Sequence, residues 1–223
     1  MYEYTFAAGN MLAEEETFVQ KFLAMSTICR YPAGHMLIRQ GERIERLYVA
    51  LEGTIECSCY SENGQKKIFS LNRGRWFFGA SALDGNRHTM NYQCLTPVTA
   101  AVMLPEKINQ WDEQMLLSLA RIQKNKERMF NRQLQSRAFQ SVEERVLCLL
   151  RDLEHTDEES QQRITHQTIA EIVGATRVQV TNILKKYAEQ GLISVAEDHS
   201  IVLTEKAGRE HDERYSGHLP PWR

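Results

Sequence analysis

The chain has 223 residues, 42% of them hydrophobic and 25% charged, which suits one large or two modest globular domains. A net charge of −2 argues against a protein that coats nucleic acid through its overall charge, so any DNA binding must depend on a local surface. The sequence also lacks a secretory signal pattern and any apolar run near the roughly 20 residues of a membrane span, and its five scattered cysteines fit a reducing cytoplasm.

The N-terminal half has the pattern of a β domain with a short helix in front. Residues 11–25 carry apolar side chains at helical spacing and predict an amphipathic helix. From residue 28 to residue 104, short apolar runs alternate with glycines, which is typical of an antiparallel sandwich or barrel. Asn63-Gly64 lies between two such runs and predicts a hairpin with a type I′ turn.

A long helix is predicted from Glu106 to Phe139, because Pro105 can open a helix and no glycine or proline follows it. Apolar residues recur there every three or four positions. A helix of this length cannot bury its stripe within a small barrel, so we expect it to pair with a second copy of the chain. The residues predicted for this dimer helix are Trp111, Met115, Leu119, Ile122 and Met129.

The C-terminal part begins with Ser141-Val142-Glu143-Glu144, a capping box that starts a new helix. Residues 164–182 then have the spacing of a helix-turn-helix. Ala170 is small enough for close helix approach, Gly174 suits a turn with positive φ, and Thr176 can cap the second helix. The predicted seam between the two helices consists of Ile169, Val173, Val180, Ile183 and Leu184.

The second helix of this motif offers four side chains near its N-terminus, where recognition helices contact base edges. These four residues are Arg177, Val178, Thr181 and Asn182. Val178 can pack on a thymine methyl group and Asn182 can bind adenine, so we expect an A/T-rich half-site with one guanine bound by Arg177. The alternative is a solvated helix face without base contacts. Phosphate contacts are expected from Gln167, Thr176, Gln179, Lys185 and Lys186.

Two short apolar runs that flank Glu197-Asp198-His199 predict a two-stranded wing after the recognition helix. A hinge is expected near residues 138–141. The predicted domains are a β domain over 1–105, a dimer helix over 106–139, a winged helix-turn-helix over 140–210 and a loose tail over 211–223.

This order of elements resembles the cAMP-receptor and fumarate–nitrate-reductase regulator family of bacterial transcription factors. The resemblance covers residues 15–208 and rests on the segments YPAGHMLIRQGE, LYVALEGTIE, GRWFFGASAL and ITHQTIAEIVGATRVQVTNILKKY. It implies an α+β fold with an N-terminal cyclic-nucleotide-binding-like β-roll (a jelly roll), a long dimerisation helix and a C-terminal winged helix-turn-helix. It also implies a homodimer that binds near-palindromic double-stranded DNA, responds to a small-molecule effector and contacts RNA polymerase.

The departures from this family pattern bear on the effector. Members that bind cAMP hold its ribose and phosphate with a Glu after the Phe-x-Gly turn and with an Arg-Ser pair, but here Gly79 is followed by Ala80 and the pair is replaced by His88-Thr89. On the long helix, Phe130-Asn131 stands where a Thr-Ser pair grips adenine. Loss of the arginine fork removes the bidentate phosphate clamp, so the expected effector is a small molecule other than cAMP.

Other features concern the class of effector. The run GNRHTMNYQCL and Val178 look most like the halorespiration regulators, which bind chlorinated aromatic acids. An arginine among aromatic residues would suit an aromatic carboxylate, although ordinary core packing is the simpler explanation for each residue taken alone. The predicted effector pocket lies between the β-roll and the long helix and is lined by Arg75, Trp76, Ala80, His88, Tyr92 and Phe130.

A redox or gas sensor is the alternative regulator. Cys57 and Cys59 lie two residues apart on one strand and could form a thiol switch or half a metal site, although free thiols are the simpler expectation. No cysteine precedes Cys29, which argues against the iron–sulfur cluster of oxygen-sensing members, and a haem on His88 is not favoured. We therefore expect no cofactor and no metal. No catalytic motif is present, so we expect a regulator and not an enzyme.

Overall fold

A computed structural model describes residues 7–8, 12, 15–154, 164–195, 201–204 and 206. These residues divide into two compact units, one ending at Arg128 and the other beginning at Met129. The helices are α1 (Glu16–Ala24), α2 (Glu113–Phe139), α3 (Val142–Glu154), α4 (His166–Val173) and α5 (Arg177–Glu189). The strands are β1 (Ala7–Ala8), β2 (Thr27–Tyr31), β3 (Met36–Ile38), β4 (Leu47–Glu52), β5 (Thr54–Tyr60), β6 (Lys66–Arg73), β7 (Trp76–Phe78), β8 (Asn91–Cys94), β9 (Val98–Met103), β10 (Ile193–Val195) and β11 (Ile201–Leu203).

The first unit is a roll of two sheets, which confirms the predicted β domain. One sheet has the strand order β1-β6-β5-β8-β3 and the other has the order β2-β9-β4-β7. All neighbours are antiparallel except the short parallel pair β1–β6. The two sheets meet face to face, since the ring of Tyr92 in β8 stacks on that of Phe78 in β7 with centroids 4.9 Å apart.

The predicted hairpin joins β5 to β6, but its turn differs from the expected type. The Gly64 amide donates to the Ser61 carbonyl at 2.9 Å, so the turn is centred on Glu62-Asn63. A type I′ turn centred on Asn63-Gly64 would end one residue later. The Ser61 hydroxyl favours the observed turn because it accepts a hydrogen bond from the Gln65 amide at 3.1 Å.

The long helix begins seven residues later than predicted. Pro105 opens a 3₁₀ helix that ends at Gln110, and α2 then starts at Glu113. The start is fixed by Asp112, whose Oδ1 accepts a hydrogen bond from the Met115 amide at 2.9 Å.

The apolar stripe of α2 has a different partner from the one predicted. Trp111, Met115 and Ile122 are buried in the first unit's own core, and Leu119 is packed against it. Their neighbours include Phe18 and Phe22 of α1, whose rings lie 5.5 and 6.3 Å from that of Trp111. The expectation that these residues need a second copy of the chain is therefore wrong, because α1 and the second sheet cover them. Met129 is also buried, in the second unit.

The second unit contains the predicted helix-turn-helix and wing strands. Val180, Ile183 and Leu184 of α5 are buried with Ile169 and Val173 of α4, as the predicted seam requires. β10 and β11 pair antiparallel, which confirms the wing strands, while the turn at 197–199 and the tail at 211–223 lie outside the described residues. The Ser141–Glu144 capping box is present, with the Ser141 amide donating to Glu144 Oε2 at 2.7 Å.

No helix within the described ranges is both long and apolar enough to cross a membrane.

Candidate functional site

The turn between α4 and the recognition helix α5 has a helix cap at each end. Helix α4 ends at Gly174, whose φ of 77° lies in the left-handed region that favours glycine. Thr176 caps α5: its hydroxyl accepts from the Gln179 amide at 3.2 Å, and the Gln179 side chain accepts from the Thr176 amide at 2.9 Å. The start of α4 has a simpler cap, in which the Thr165 hydroxyl accepts from the Thr168 amide at 3.1 Å.

The four predicted base-reading residues lie together on the exposed side of α5. Val178 is 69% exposed, so its apolar side chain is accessible to a base in the major groove. Among the described residues, Arg177 and Asn182 make no side-chain hydrogen bond or ion pair, so their donors are available. Thr181 differs, because its hydroxyl is bonded to the Arg177 carbonyl and to the ring of His166.

The predicted phosphate-binding residues all have partners within the protein. The Gln167 amide nitrogen donates to Glu171 at 2.9 Å, and Lys186 pairs with Glu143 at 2.8 Å. Lys185 lies 3.9 Å from Glu189, and Thr176 and Gln179 bond each other in the capping box. These are exposed contacts of low strength that a phosphate could replace at little cost.

The roll interior is lined by stacked aromatic rings. Tyr48, Phe78 and Tyr92 stack in sequence with 4.9 Å between neighbouring centroids, and His88 meets the Tyr92 ring edge-on at 5.2 Å. Of the predicted pocket residues, the buried Tyr92 and the half-buried His88 are therefore in direct contact. The turn that follows β7 needs glycine, because a Cβ on Gly79 (φ 89°) would lie 2.6 Å from the Arg46 carbonyl oxygen.

The ammonium of Lys126, a residue outside the predicted pocket set, lies beside two aromatic rings of β7. The ammonium donates to the Phe77 carbonyl at 2.5 Å and lies 5.6 and 5.2 Å from the ring centroids of Trp76 and Phe77. Burial lowers the pKa of Lys126 to about 8. Within the described part of the chain no carboxylate pairs with it. A sequence signal was present, since Lys126 follows Ile122 by four positions and so interrupts the apolar stripe.

Arg75, the predicted anion-binding residue, is occupied elsewhere. Its guanidinium forms an ion pair with Glu16 of α1. Ala80 lies in a short 3₁₀ turn after Gly79 and is half-buried against the unit's core. Phe130 follows Lys126 by one helical turn and belongs to the second unit. The interior cation is therefore Lys126 and not Arg75.

Several buried polar atoms of the roll have no hydrogen-bond partner among the described residues. They include both side-chain amide atoms of Asn72, the indole nitrogen of Trp76 and the hydroxyl of Ser81. Burial lowers the pKa of His88, so its imidazole is neutral at pH 7. Within the described residues, these polar atoms and an ammonium without a carboxylate partner make the interior chemically suited to an anionic organic ligand.

The two cysteines of β5 differ in their surroundings. Cys57 is buried, and its thiol is hydrogen-bonded by the Tyr92 hydroxyl. Burial raises the pKa of Cys57 to about 11, so the reactive thiolate is scarce at neutral pH. Cys59 is half-buried near the end of the strand. The geometry therefore gives no support to a thiol switch at Cys57.

Both parts of this architecture match known protein families. Residues 28–114 match the profile of the cyclic nucleotide-binding domain, and residues 144–208 match that of the Crp-like helix-turn-helix domain. The cAMP-activated global transcriptional regulator CRP of Salmonella typhimurium is 30% identical over 186 residues, which cover 78% of this chain and 88% of that protein. This chain belongs to the CRP family of transcription regulators.

Solved structures show the same fold. A CRP/FNR-family transcriptional regulator from Thermus thermophilus superposes with a TM-score of 0.73 at 24% identity, covering 86% of this chain and all of that one. CprK in complex with OCPA gives a TM-score of 0.69 at 17% identity over 92% of this chain and 98% of that one. This CRP-family chain thus has a cyclic-nucleotide-binding-type domain and a helix-turn-helix DNA-binding domain, as the sequence predicted.

Proposed function

We propose that this CRP-family regulator is an effector-controlled homodimer that reads a near-palindromic, A/T-rich DNA site. The observation that carries the proposal is the exposed face of α5, where Arg177, Val178 and Asn182 project from a helix fixed by a capping box. Val178 offers an apolar surface to a thymine methyl group, and Asn182 can bond N6 and N7 of adenine. The homodimer is supported by exposed residues of α2, and the effector class is supported by the interior of the roll.

Selection of sites from a random duplex library tests the DNA-reading part. The wild-type protein is expected to enrich an A/T-rich half-site, and Val178→Glu is expected to move the preference toward cytosine, whose N4 amine donates to a carboxylate. Ala188→Glu adds the same charge to an exposed position near the end of the same helix and serves as the control. An unchanged preference in Val178→Glu, or an equal change in the control, would contradict the proposal.

The homodimer is supported by apolar side chains that the first unit leaves exposed on α2. Leu116 and Leu117 are 48% and 52% exposed, although they lie on a helix whose other face is buried. CRP-family regulators act as dimers, and this exposed face offers a second copy a surface on the long helix. Sedimentation velocity is expected to show a dimer that Leu116→Lys with Leu117→Lys dissociates. Leu104→Lys, at a residue with 53% exposure before α2, is the control.

We propose that the effector is an organic anion other than cAMP, of the aromatic carboxylate class. The turn at Gly79 carries Ala80 where cAMP-binding members have a carboxylate, and the interior offers beside aromatic rings an ammonium that no carboxylate of the described residues neutralises. One ammonium can pair with one carboxylate, whereas it lacks the fork geometry that clamps a phosphate.

Thermal-shift measurements with matched probes test this assignment. Phenylacetate and salicylate are expected to raise the melting temperature, while their neutral amides and cAMP are not. The shift should disappear in Lys126→Met and persist in Lys124→Met, which alters an exposed lysine of the same helix. If neither acid shifts the wild type, or if the shift survives in Lys126→Met, the proposed effector class is wrong.

A further inference from the structure

The two helices of the helix-turn-helix are joined at their DNA-reading ends by a pair of exposed side chains. His166 is the first residue of α4, and its Nδ1 lies 3.0 Å from the hydroxyl oxygen of Thr181 in α5. The Thr181 hydroxyl in turn donates to the Arg177 carbonyl at 2.9 Å. The result is a short chain of hydrogen bonds from one helix to the other.

The number of protons fixes the direction of this chain. A threonine hydroxyl has one proton, and the Arg177 carbonyl, which can only accept, receives it. The contact with His166 must therefore run the other way, with Nδ1–H donating to Thr181 Oγ1. This bond is available to the neutral Nδ1 tautomer and to the imidazolium, since both carry a proton on Nδ1.

This arrangement limits what Thr181 can offer to a base. With its proton committed, the hydroxyl cannot donate to O6 or N7 of guanine, to N7 of adenine or to O4 of thymine. The hydroxyl keeps one lone pair that can accept a hydrogen bond, and the methyl group remains free to contact the C5-methyl of thymine, the apolar group that the major groove presents. A threonine in a helix otherwise divides between two rotamers, so a second hydrogen bond on the hydroxyl also holds the methyl group in one place.

We propose that His166 is a positioning residue that makes Thr181 read thymine through its methyl group. The inference rests on the proposed function, because it requires α5 to lie in the major groove. Thr181, the partner of His166, would then recognise one thymine, in addition to any thymine that Val178 contacts.

The test removes single methyl groups from both partners. In the half-site that the wild-type protein selects, each thymine is replaced in turn by deoxyuridine, and dissociation constants are measured by fluorescence anisotropy. Besides any thymine that Val178 contacts, one position is expected to lose about fourfold in affinity, the value of one buried methyl group. At that position Thr181→Val, which keeps the methyl group, should retain the loss. Thr181→Ser, which keeps only the hydroxyl, should bind thymine and deoxyuridine equally.

Variants of His166 then test the positioning role. His166→Ala should reduce the thymine-to-deoxyuridine ratio at the same position toward one, while other positions keep their ratios. His166→Asn retains a side-chain donor at a similar distance from the backbone and should restore the ratio. Melting temperatures of all four variants check that the helix-turn-helix remains folded.

The outcomes separate this inference from the proposed function. If the wild-type protein enriches no sequence, the proposed function itself fails. If it selects a site but Thr181→Ser keeps the sensitivity to deoxyuridine, or Thr181→Val loses binding at that position, then the hydroxyl or another residue makes the contact and the inference is wrong. An unchanged ratio in His166→Ala would likewise remove His166 from the reading of the site.

Discussion

Buried polar groups in the two units differ in the hydrogen-bond partners that they have within the chain. In the DNA-binding unit, the buried guanidinium of Arg145 donates to the carbonyls of Val173 and Gln140 at 2.9 and 2.7 Å, and the helix starts are capped by Thr165 and Thr176. In the roll, Asn72 is buried without a partner among the described residues, and Lys126 has only one carbonyl and two ring faces.

This difference shows which of these buried polar groups have hydrogen-bond partners before any ligand binds. A buried polar group without a partner costs free energy, so a protein that retains such groups must gain from them in another state. In the DNA-binding unit, Arg145 and the first turns of α4 and α5 have partners within the chain, and the side-chain donors of Arg177 and Asn182 lie on the surface, where DNA can reach them. The roll leaves its free groups inside, where only a small molecule can reach them.

Removal of a satisfied group in the DNA-binding unit is expected to have the largest effect. Arg145→Leu leaves the carbonyls of Val173 and Gln140 without their charged donor, and we expect a loss of about 3 to 5 kcal/mol in the free energy of unfolding. Urea denaturation followed by circular dichroism measures this loss. Arg177→Leu, at an exposed position without such bonds, should change stability by less than about 0.5 kcal/mol. A loss below about 1 kcal/mol for Arg145→Leu would contradict the comparison.

The partly buried ammonium of Lys126 predicts a pH dependence in the roll. Its pKa is about 8 in the folded protein, against 10.5 for an ordinary lysine, so the unfolded chain binds more protons between these values. Stability relative to Lys126→Met should therefore rise as pH increases through 8 toward 10.5, by up to about 3 kcal/mol. Denaturation of both proteins at several pH values measures the difference, and Lys124→Met should show no such trend.

Replacement of an unpaired group in the roll should have the opposite sign from the Arg145 change. Asn72 is 2% exposed and neither of its amide atoms has a partner in the part of the chain that the structure describes, so Asn72→Leu removes a desolvation cost and keeps a similar volume. We expect a gain of about 1 kcal/mol in the absence of effector. Thermal denaturation without added ligand measures this change. A loss of similar size would mean that the buried amide of Asn72 is already satisfied in the protein without effector.

An effect of similar size, but a loss, is expected at the cap of the recognition helix. Thr176→Ala should cost about 1 kcal/mol, because it leaves the Gln179 amide without its side-chain acceptor. Thr176→Ser retains the hydroxyl and should cost only a few tenths of that value. Hydrogen exchange of the first amides of α5 measures local opening. Equal exchange in both variants would show that the cap does not hold the helix start.

Turns and helix caps depend on residues close together in the chain, and these were predictable from the sequence. Gly174 and Thr176 are set by φ requirements and by a hydrogen bond over three residues, and the structure confirms both. The seam of the helix-turn-helix follows from helical periodicity in the same way. His166 gave no such signal, since its partner Thr181 lies 15 positions away and only the packing of α4 on α5 brings them together.

The sequence by itself determined the order of elements, the two domain types, the family and the exposed face of the recognition helix, because each depends on local propensity and periodicity. Only the tertiary structure decided what covers the stripe from Trp111 to Ile122 and which cation enters the roll. Periodicity shows that a helix face must be buried but not against what, and here α1 supplies the cover. Likewise, Arg75 is neutralised by Glu16 while Lys126 is enclosed with Trp76, since charge pairing over long sequence distances depends on the folded chain.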